Sequence, residues 1–495
     1  MNHSLYFEAL KPYLEKRRRI SRMTAVLYYD IATACPEKSI SDESELMNYY
    51  TAQKAAMAQE VSYKNLIKKG LNDPSASPME KRLFNYLYDE ILLMDKLSLE
   101  EFTAATNAFS KSNEMWRLYR PQNDFEAWLP YWKECVKYAR VFAKARMKDT
   151  TKTPYDADLD AFEPGENSEY LDVLFAPIKR TIISLLPRVI SKQDAHPLPP
   201  IKPYSYSSQC ALAYDLLSLI KYDLKGGCLR TSAHPFSTDI SEHDARLTTK
   251  YLTSDFRSNL FTILHEGGHC LEFQGKSDDE YDTYLESAST AAICETHSRF
   301  YENMIGRSEE FAPILKNLCA KRLDPGFSFM SDEDFSLLLN KTEPGLIRCE
   351  ADELTYNLHI IIRYEIERDL INGKIECEDV PAIWNEKYKS YLGVDVPSNK
   401  DGCMQDVHWT DAEFGYFPSY ALGNIYGAMI REKMQQEIGL SDLVREGKMG
   451  EILTWLKDND YSKDWMEPKE WIKEVTGKEL TSVPFINYLT SKFGD

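Results

Sequence analysis

The pattern His265-Glu266-Gly267-Gly268-His269 has the residue types and the spacing of a metal-dependent hydrolase. On an α-helix, residues four apart lie on one face, so both histidines can direct a ring nitrogen at one metal ion. Glu266 follows the first histidine, where its carboxylate can take a proton from water bound to that metal. The chain has only 9 His in 495 residues, which disfavours a chance arrangement on a surface helix. The pattern therefore predicts a metal site for amide hydrolysis with Glu266 as general base.

A catalytic zinc ion usually has three protein ligands and one open coordination position, so a third ligand must come from elsewhere. A third histidine in the pattern HExxHxxGxxH is excluded, because Glu272 and Gly275 stand where that pattern needs Gly and His. A glutamate from the following helix is the other common solution. The candidates that follow the motif are Glu280, Glu286 and Glu295.

Glu295 is the favoured third ligand. It ends a run of mostly small residues at 287–294, which would let its helix pack closely against the motif helix. A charge on so apolar a helix is costly unless it is paired or bound to a metal. Two alternatives stay open: an ion pair between Glu295 and Arg299 one turn on, and metal ligation by Cys270 or Cys294.

The elements that must position these residues are mainly helical. Apolar residues recur at spacings of three and four along most of the chain, which predicts an all-α fold with at most a small β element. One short strand is expected at 248–252, followed by the motif helix with Thr253 or Ser254 as its N-cap. Two further helices are expected at 285–306 and 348–372.

Composition excludes several classes of function. The net charge of −19 disfavours binding to nucleic acids or anionic membranes. The chain contains no run of 18 apolar residues that would predict a membrane span, and no signal-type apolar run at its N-terminus. Its 10 Cys show no CxxC pair, which is typical of free thiols in a reducing compartment and predicts a cytoplasmic protein.

Length and composition do not determine the number of domains. A length of 495 residues allows one large domain or two to three ordinary ones. The proline-rich stretch 194–204 reads either as a linker or as a long surface loop within one domain.

Seven stretches from 234 onward carry a resemblance to a known family. They are HPF at 234–236, DARLTT at 244–249, HEGGH at 265–269, 295–303, 347–359, QDVHW at 405–409 and GYFPSY at 415–420. Upstream, Tyr155-Asp156 and the EPG at 163–165 add to it. Together and in this order they resemble the carboxypeptidase Taq family of metallocarboxypeptidases.

This resemblance implies a single large helical domain over 1–495 with a deep groove, usually as a homodimer. We divide it into an N-terminal helical part at about 1–190, a metal-binding part at about 205–430 and C-terminal helices. The resemblance implies metal-dependent release of C-terminal residues from peptides. One Zn²⁺ per subunit, with Co²⁺ or Mn²⁺ as alternatives, would be bound by His265, His269 and Glu295, with Glu266 as the base.

The resemblance also suggests four substrate-binding residues. Arg348 is the choice for the substrate carboxylate, with Arg246 as the alternative, and His234 and Tyr420 would contact substrate or the oxyanion. For the two arginines the competing interpretation is a buried ion pair within the helical core.

The chain departs from the family pattern beside the third ligand, where Cys294 and His297 replace other residues and are expected to alter its surroundings. Two other functions compete with a carboxypeptidase. One is an oligopeptidase or dipeptidyl carboxypeptidase on a related helical fold, and the other is a catalytically silent peptide-binding protein. The intact Glu266 argues against the silent protein.

Overall fold

Helices dominate the computed structural model, which describes residues 3–148 and 150–494. These residues form 21 α-helices and one small three-stranded sheet. The predicted fold class, a mainly α-helical single domain, is confirmed. Within the described ranges, no helix is long and apolar enough to cross a membrane.

The N-terminal part consists of helices, as the spacing of its apolar residues predicts. Reciprocal side-chain caps at Ser77, Ser98 and Thr153 start three of them. Their bounds are α1 Leu5–Thr33, α2 Ile40–Gln59, α3 Val61–Leu71, α4 Pro78–Lys96, α5 Leu99–Tyr119, α6 Phe125–Arg146, α7 Pro154–Phe162 and α8 Ser168–Ala195.

Of the stretch 194–204, residues 196–204 form a loop within the domain, and the first two residues still belong to a helix. Helix α8 runs to Ala195, and α9 (Tyr206–Leu219) begins after the loop. The Tyr204 backbone N–H donates to the carbonyl of Thr253 at 2.8 Å, so the loop is bound to the segment that precedes the motif helix.

The sheet contains β1 (Leu229–Thr231), β2 (Ser237–Ser241) and β3 (Asp244–Thr249) in the order β1-β3-β2. Strand β3 pairs parallel to β1 and antiparallel to β2. The strand expected at 248–252 therefore starts at Asp244 and stops at Thr249. The expectation was wrong because neighbouring strands, rather than the β-branched residues alone, decide where β3 pairs.

The motif helix and the next helix also begin later than expected. Helix α10 (Phe256–Phe273) has Asp255 as its N-cap, whose carboxylate accepts from the Arg257 backbone N–H at 3.0 Å, so neither Thr253 nor Ser254 caps it. After α11 (Asp278–Asp282), the helix expected at 285–306 is split into α12 (Ala291–Arg299) and a π-helical turn, Phe300–Ile305. Thr290 has an extended backbone and is the N-cap of α12, so no helix continues from the preceding residues into α12.

The remaining helices complete the domain. The helix expected at 348–372 begins only at Glu353, because Asp352 caps it and residues Arg348–Glu350 form a short 3-10 turn. The bounds are α13 Ala312–Arg322, α14 Asp332–Leu339, α15 Glu353–Ile371, α16 Val380–Leu392, α17 Phe417–Ile438, α18 Leu440–Arg445, α19 Met449–Asn459, α20 Pro468–Thr476 and α21 Val483–Phe493.

Candidate active site

Three side chains with metal-binding atoms converge between α10 and α12. Nitrogen atoms of His265 and His269 and a carboxylate oxygen of Glu295 all lie within 4.8 Å of one another. His265 Nε2 lies 3.8 Å from Glu295 Oε2. Arg299 Nε lies at the same distance from this oxygen, so Glu295 faces both the histidines and the arginine. The two roles inferred for Glu295 from the sequence, metal ligand and ion-pair partner of Arg299, are therefore compatible with each other.

The other candidate ligands lie elsewhere. Glu280 accepts hydrogen bonds at the start of its own helix α11, and Glu286 accepts from the Arg18 guanidinium at 2.9 Å. The Cys294 thiol donates to Ser289 and Glu272, and Cys270 is fully buried in the core. Neither cysteine belongs to the cluster of His265, His269 and Glu295.

Two glycines let the site helices approach each other. A Cβ on Gly268 would lie 2.6 Å from the His297 carbonyl oxygen and 2.9 Å from the Ser298 Cα. A Cβ on Gly423 of α17 would lie 3.0 Å from the Glu295 Cβ. Glycine in a helix costs roughly 1 kcal/mol relative to alanine, and here it permits α10 and α17 to hold α12 at backbone contact. This close packing brings Glu295 to the histidines.

Glu302 orients the first histidine. Its carboxylate lies 2.9 Å from His265 Nδ1, which leaves Nε2 on the side of Glu295. Burial alone would raise the pKa of Glu302, but Arg299, His265 and Arg307 hold it well below its usual range. An ionised carboxylate on the far ring nitrogen is the usual second partner of a metal-binding histidine.

The protonation states of His269, Glu295 and Glu266 suit metal binding and proton transfer. Burial and the neighbouring His265 lower the pKa of His269 to about 4, so its imidazole is neutral at physiological pH. Burial alone would raise the pKa of Glu295, but His265 and Arg299 bring it below its ordinary value. Burial raises the pKa of Glu266 to about 7. The site therefore pairs an ionised carboxylate with one that can exchange a proton near neutrality.

A second cluster surrounds Arg348. Its guanidinium donates to Asp406 at 2.8 Å and to the Tyr356 hydroxyl at 3.2 Å, and it lies 5.1 Å from the ring centre of Tyr420. Arg363, fully buried, pairs with the other oxygen of Asp406. Two arginines thus share one aspartate, which leaves one positive charge uncompensated within this group. The ion pair considered for Arg348 is present, yet it does not neutralise the arginine pair.

The other two candidate substrate-binding residues, Arg246 and His234, lie in or beside the sheet. Arg246 on β3 forms a two-point ion pair with Asp244, at 2.8 Å and 2.6 Å, and remains half-buried. Its partner lies on the same strand, so the ion pair is not part of the helical core. His234 is exposed in the loop between β1 and β2.

The unusual residue His297 faces away from the cluster of His265, His269 and Glu295. Its ring nitrogens lie 2.9 Å from Glu272 and 3.1 Å from Asp460, and all three side chains are buried. Asp460 also accepts from the Trp471 indole at 3.0 Å. His297 therefore connects α12 to α10 and to the C-terminal helices, and it hydrogen-bonds neither histidine of the motif.

Sequence reasoning missed three residues of this site: Glu302, Asp406 and Arg363. Glu302 and Asp406 lie in stretches that carry the family resemblance, and that position was the available signal. A buried Arg348 also requires an acidic partner. Arg363 had no such signal, because only the packing of α15 brings it to Asp406.

Comparisons with known proteins show to which family this chain belongs. The model of the carboxypeptidase Taq (M32) metallopeptidase family matches residues 9–493. This chain belongs to the M32 family. Carboxypeptidase 1 of Bacillus subtilis (strain 168) is 32% identical over 501 residues, covering 98% of each chain. Thermostable carboxypeptidase 1 of Thermus thermophilus is 37% identical over 404 residues, covering 78% of each.

A solved structure agrees with the assignment to M32. Metallocarboxypeptidase 1 of Trypanosoma cruzi matches with a TM-score of 0.93 and 31% identity, covering 99% of both chains. The family resemblance and the expectation of an enzyme are therefore confirmed. The chain is an M32 metallocarboxypeptidase that hydrolyses peptides and requires a metal cofactor.

For this M32 enzyme, Glu302→Gln is expected to weaken metal binding by about 10–100-fold. The amide can still accept a hydrogen bond from His265, but it lacks the negative charge that makes the imidazole a stronger ligand. Metal titration against a competing chelator measures the effect. Glu286→Gln, which alters a glutamate paired with Arg18 outside the cluster, is the matched control. Equal affinities of the two variants would contradict this role of Glu302.

Proposed function

We propose that this metallocarboxypeptidase binds one Zn²⁺ through His265, His269 and Glu295 and uses Glu266 as its general base. The observation that carries the proposal is the convergence of the three ligand atoms within 4.8 Å, beside a carboxyl group whose pKa is raised to about 7. Because Glu266 directly follows a proposed ligand, one helix would position both the metal and the base.

The donor set fits a catalytic zinc ion. Two imidazoles and one carboxylate leave an open coordination position, and Co²⁺ and Mn²⁺ accept the same donors. The neutral His269 and the orientation of His265 by Glu302 support this fit. A bound metal would supply Lewis acidity and lower the pKa of water.

Glu266 would move the proton in both halves of the reaction. Its carboxyl group is buried, and a pKa of about 7 lets it accept a proton from the attacking water near neutral pH. The same group can then donate that proton to the departing amine. One side chain thus acts as general base and then as general acid.

Arg348 would bind the free carboxylate at the end of the substrate. The uncompensated charge of the Arg348–Asp406–Arg363 group attracts an anion, and an arginine can hold a carboxylate through two parallel hydrogen bonds. Asp406 and Tyr356 hold the guanidinium in place. Arg246 remains the alternative, although Asp244 already occupies two of its donors.

Tyr420 and His234 would complete the substrate contacts. The Tyr420 ring is half-buried beside Arg348, where its hydroxyl could donate to the carbonyl oxygen of the bond that is cleaved. The exposed His234 is free to approach a substrate from the sheet side.

Digestion of an N-terminally blocked peptide tests this function. Single residues should leave the C-terminus one after another, the release should stop in a chelator, and added Zn²⁺ should restore it. Internal fragments or dipeptides would instead indicate an oligopeptidase or a dipeptidyl carboxypeptidase. Absence of both hydrolysis and bound metal would favour a silent peptide-binding protein.

Arg348→Ala is expected to lower kcat/KM for a free-acid peptide by about 10²-fold, because one partner of a buried charge contact is lost. The readout is the ratio of kcat/KM between this peptide and its C-terminal amide. This ratio should fall in Arg348→Ala and remain in Arg246→Ala. If damage to the fold caused the loss, both substrates would suffer equally and the ratio would not change.

We also propose a cytoplasmic homodimer. All ten cysteines are free thiols, which supports a reducing compartment, and the dimer rests on the family resemblance. Analytical ultracentrifugation tests the assembly, and a sedimenting monomer at micromolar concentration would contradict it.

A further inference from the structure

Glu163, at the C-terminal end of α7, is fully buried and accepts three hydrogen bonds of equal length. The Thr290 hydroxyl donates to one carboxylate oxygen at 2.7 Å. The Ala292 backbone N–H and the Ser419 hydroxyl both donate to the other oxygen, each at 2.7 Å. This carboxylate therefore binds two different helices at once.

The first of these helices is α12. Thr290 is its N-cap and Ala292 its second residue, so the Ala292 N–H is one of the helix-terminal donors that lack a partner within the helix. A carboxylate at this end also complements the helix dipole. Glu163 thus binds the start of α12 next to its Thr290 cap, and Glu295 lies three residues after Ala292.

The second helix is α17. Ser419 lies in its first turn, directly before Tyr420, and Gly423 one turn later lies against the Glu295 backbone. Glu163, which binds both α12 and Ser419, and the contact of Gly423 with Glu295 therefore connect the same two helices at neighbouring positions.

We propose that Glu163 is a positioning residue that sets the third metal ligand, Glu295, and the substrate-contacting Tyr420 relative to each other. This inference rests on the proposed function of Glu295 and Tyr420. It assigns to Glu163 a role that acts through α12 and α17 and involves no contact with the metal or the substrate.

A purely structural role for a buried carboxylate is the competing explanation. Burial raises the pKa of Glu163 to about 7, and its three hydrogen-bond donors, two hydroxyls and one backbone N–H, oppose this rise. Asp156 of α7 offers the matched comparison. It is also buried and accepts from the Ser168 backbone N–H at 2.8 Å and the Ser168 hydroxyl at 2.7 Å, but it joins α7 only to α8.

The test compares Glu163→Gln with Asp156→Asn in the whole 495-residue chain loaded with Co²⁺. We expect Glu163→Gln to weaken Co²⁺ binding by about 10-fold, as loss of supporting contacts around metal ligands does, and to change the visible absorption spectrum of the bound Co²⁺. Asp156→Asn should keep both the Co²⁺ affinity and the spectrum of the wild type, even if its melting temperature falls as much as that of Glu163→Gln. Equal affinities and spectra in the two variants would overturn the proposal.

Ser419→Ala is a second variant, which keeps the hydrogen bonds between Glu163 and α12. It replaces Glu163→Gln in the test if that variant does not fold. Its Co²⁺ affinity should stay near that of the wild type, while kcat falls several-fold through Tyr420. An unchanged kcat would overturn the α17 half of the proposal. Failure of the wild-type protein to bind Co²⁺ or to release C-terminal residues would instead refute the proposed function itself.

Discussion

Glu266→Gln should lower kcat by about 10²–10⁴-fold, the range that a general base contributes, and leave the metal bound. The substitution keeps the size of the side chain and removes only its ability to accept a proton. His265, His269 and Glu295 are unchanged, so their cluster should persist. Steady-state kinetics on an N-terminally blocked peptide, together with metal analysis of the same sample, measures both quantities.

The structure gives this prediction a sharp control. Glu266 is buried and its pKa is raised to about 7, so the neutral glutamine should cost little in stability. An unchanged melting temperature separates the loss of the base from unfolding. Retention of kcat within about tenfold, a drop too small for loss of a general base, would show that another group takes the proton.

Glu295→Ala should reduce metal affinity by more than about 100-fold, beyond the range typical of partners outside the ligand set. Two histidines would remain, and two ligands leave a catalytic zinc site incomplete. Peptide hydrolysis should disappear at metal concentrations that saturate the wild type. Metal titration with a competing chelator measures the affinity, with Glu286→Ala as the control.

Thermal melting supplies an independent readout of the same prediction. A metal that binds only the folded state raises the melting temperature by mass action, so a chelator should lower the midpoint of the wild-type protein. Glu295→Ala should show no such response. A variant that still melts lower in chelator would place the third ligand at another residue.

The spacing of residues alone predicts the centre of the candidate site. His265, Glu266 and His269 need only the period of one helix, which the chain forms from Phe256 to Phe273. The all-α fold class also followed from local periodicity, because burial of one helix face repeats every three to four residues. The element boundaries did not follow from it. The start of β3 and the start of α12 depend on paired strands and on the Thr290 cap.

The tertiary structure alone decided which distant side chains support the centre. The sequence singled out Glu295 among the three glutamates through its small neighbours, but its distance from the histidines depends on Gly268 and on Gly423. The sharing of Asp406 between Arg348 and Arg363 could not be read from the chain. Neither could the three hydrogen bonds of Glu163, whose partners lie more than a hundred residues away. Local sequence determines which face of a helix carries a group, whereas the packing of helices determines which groups meet.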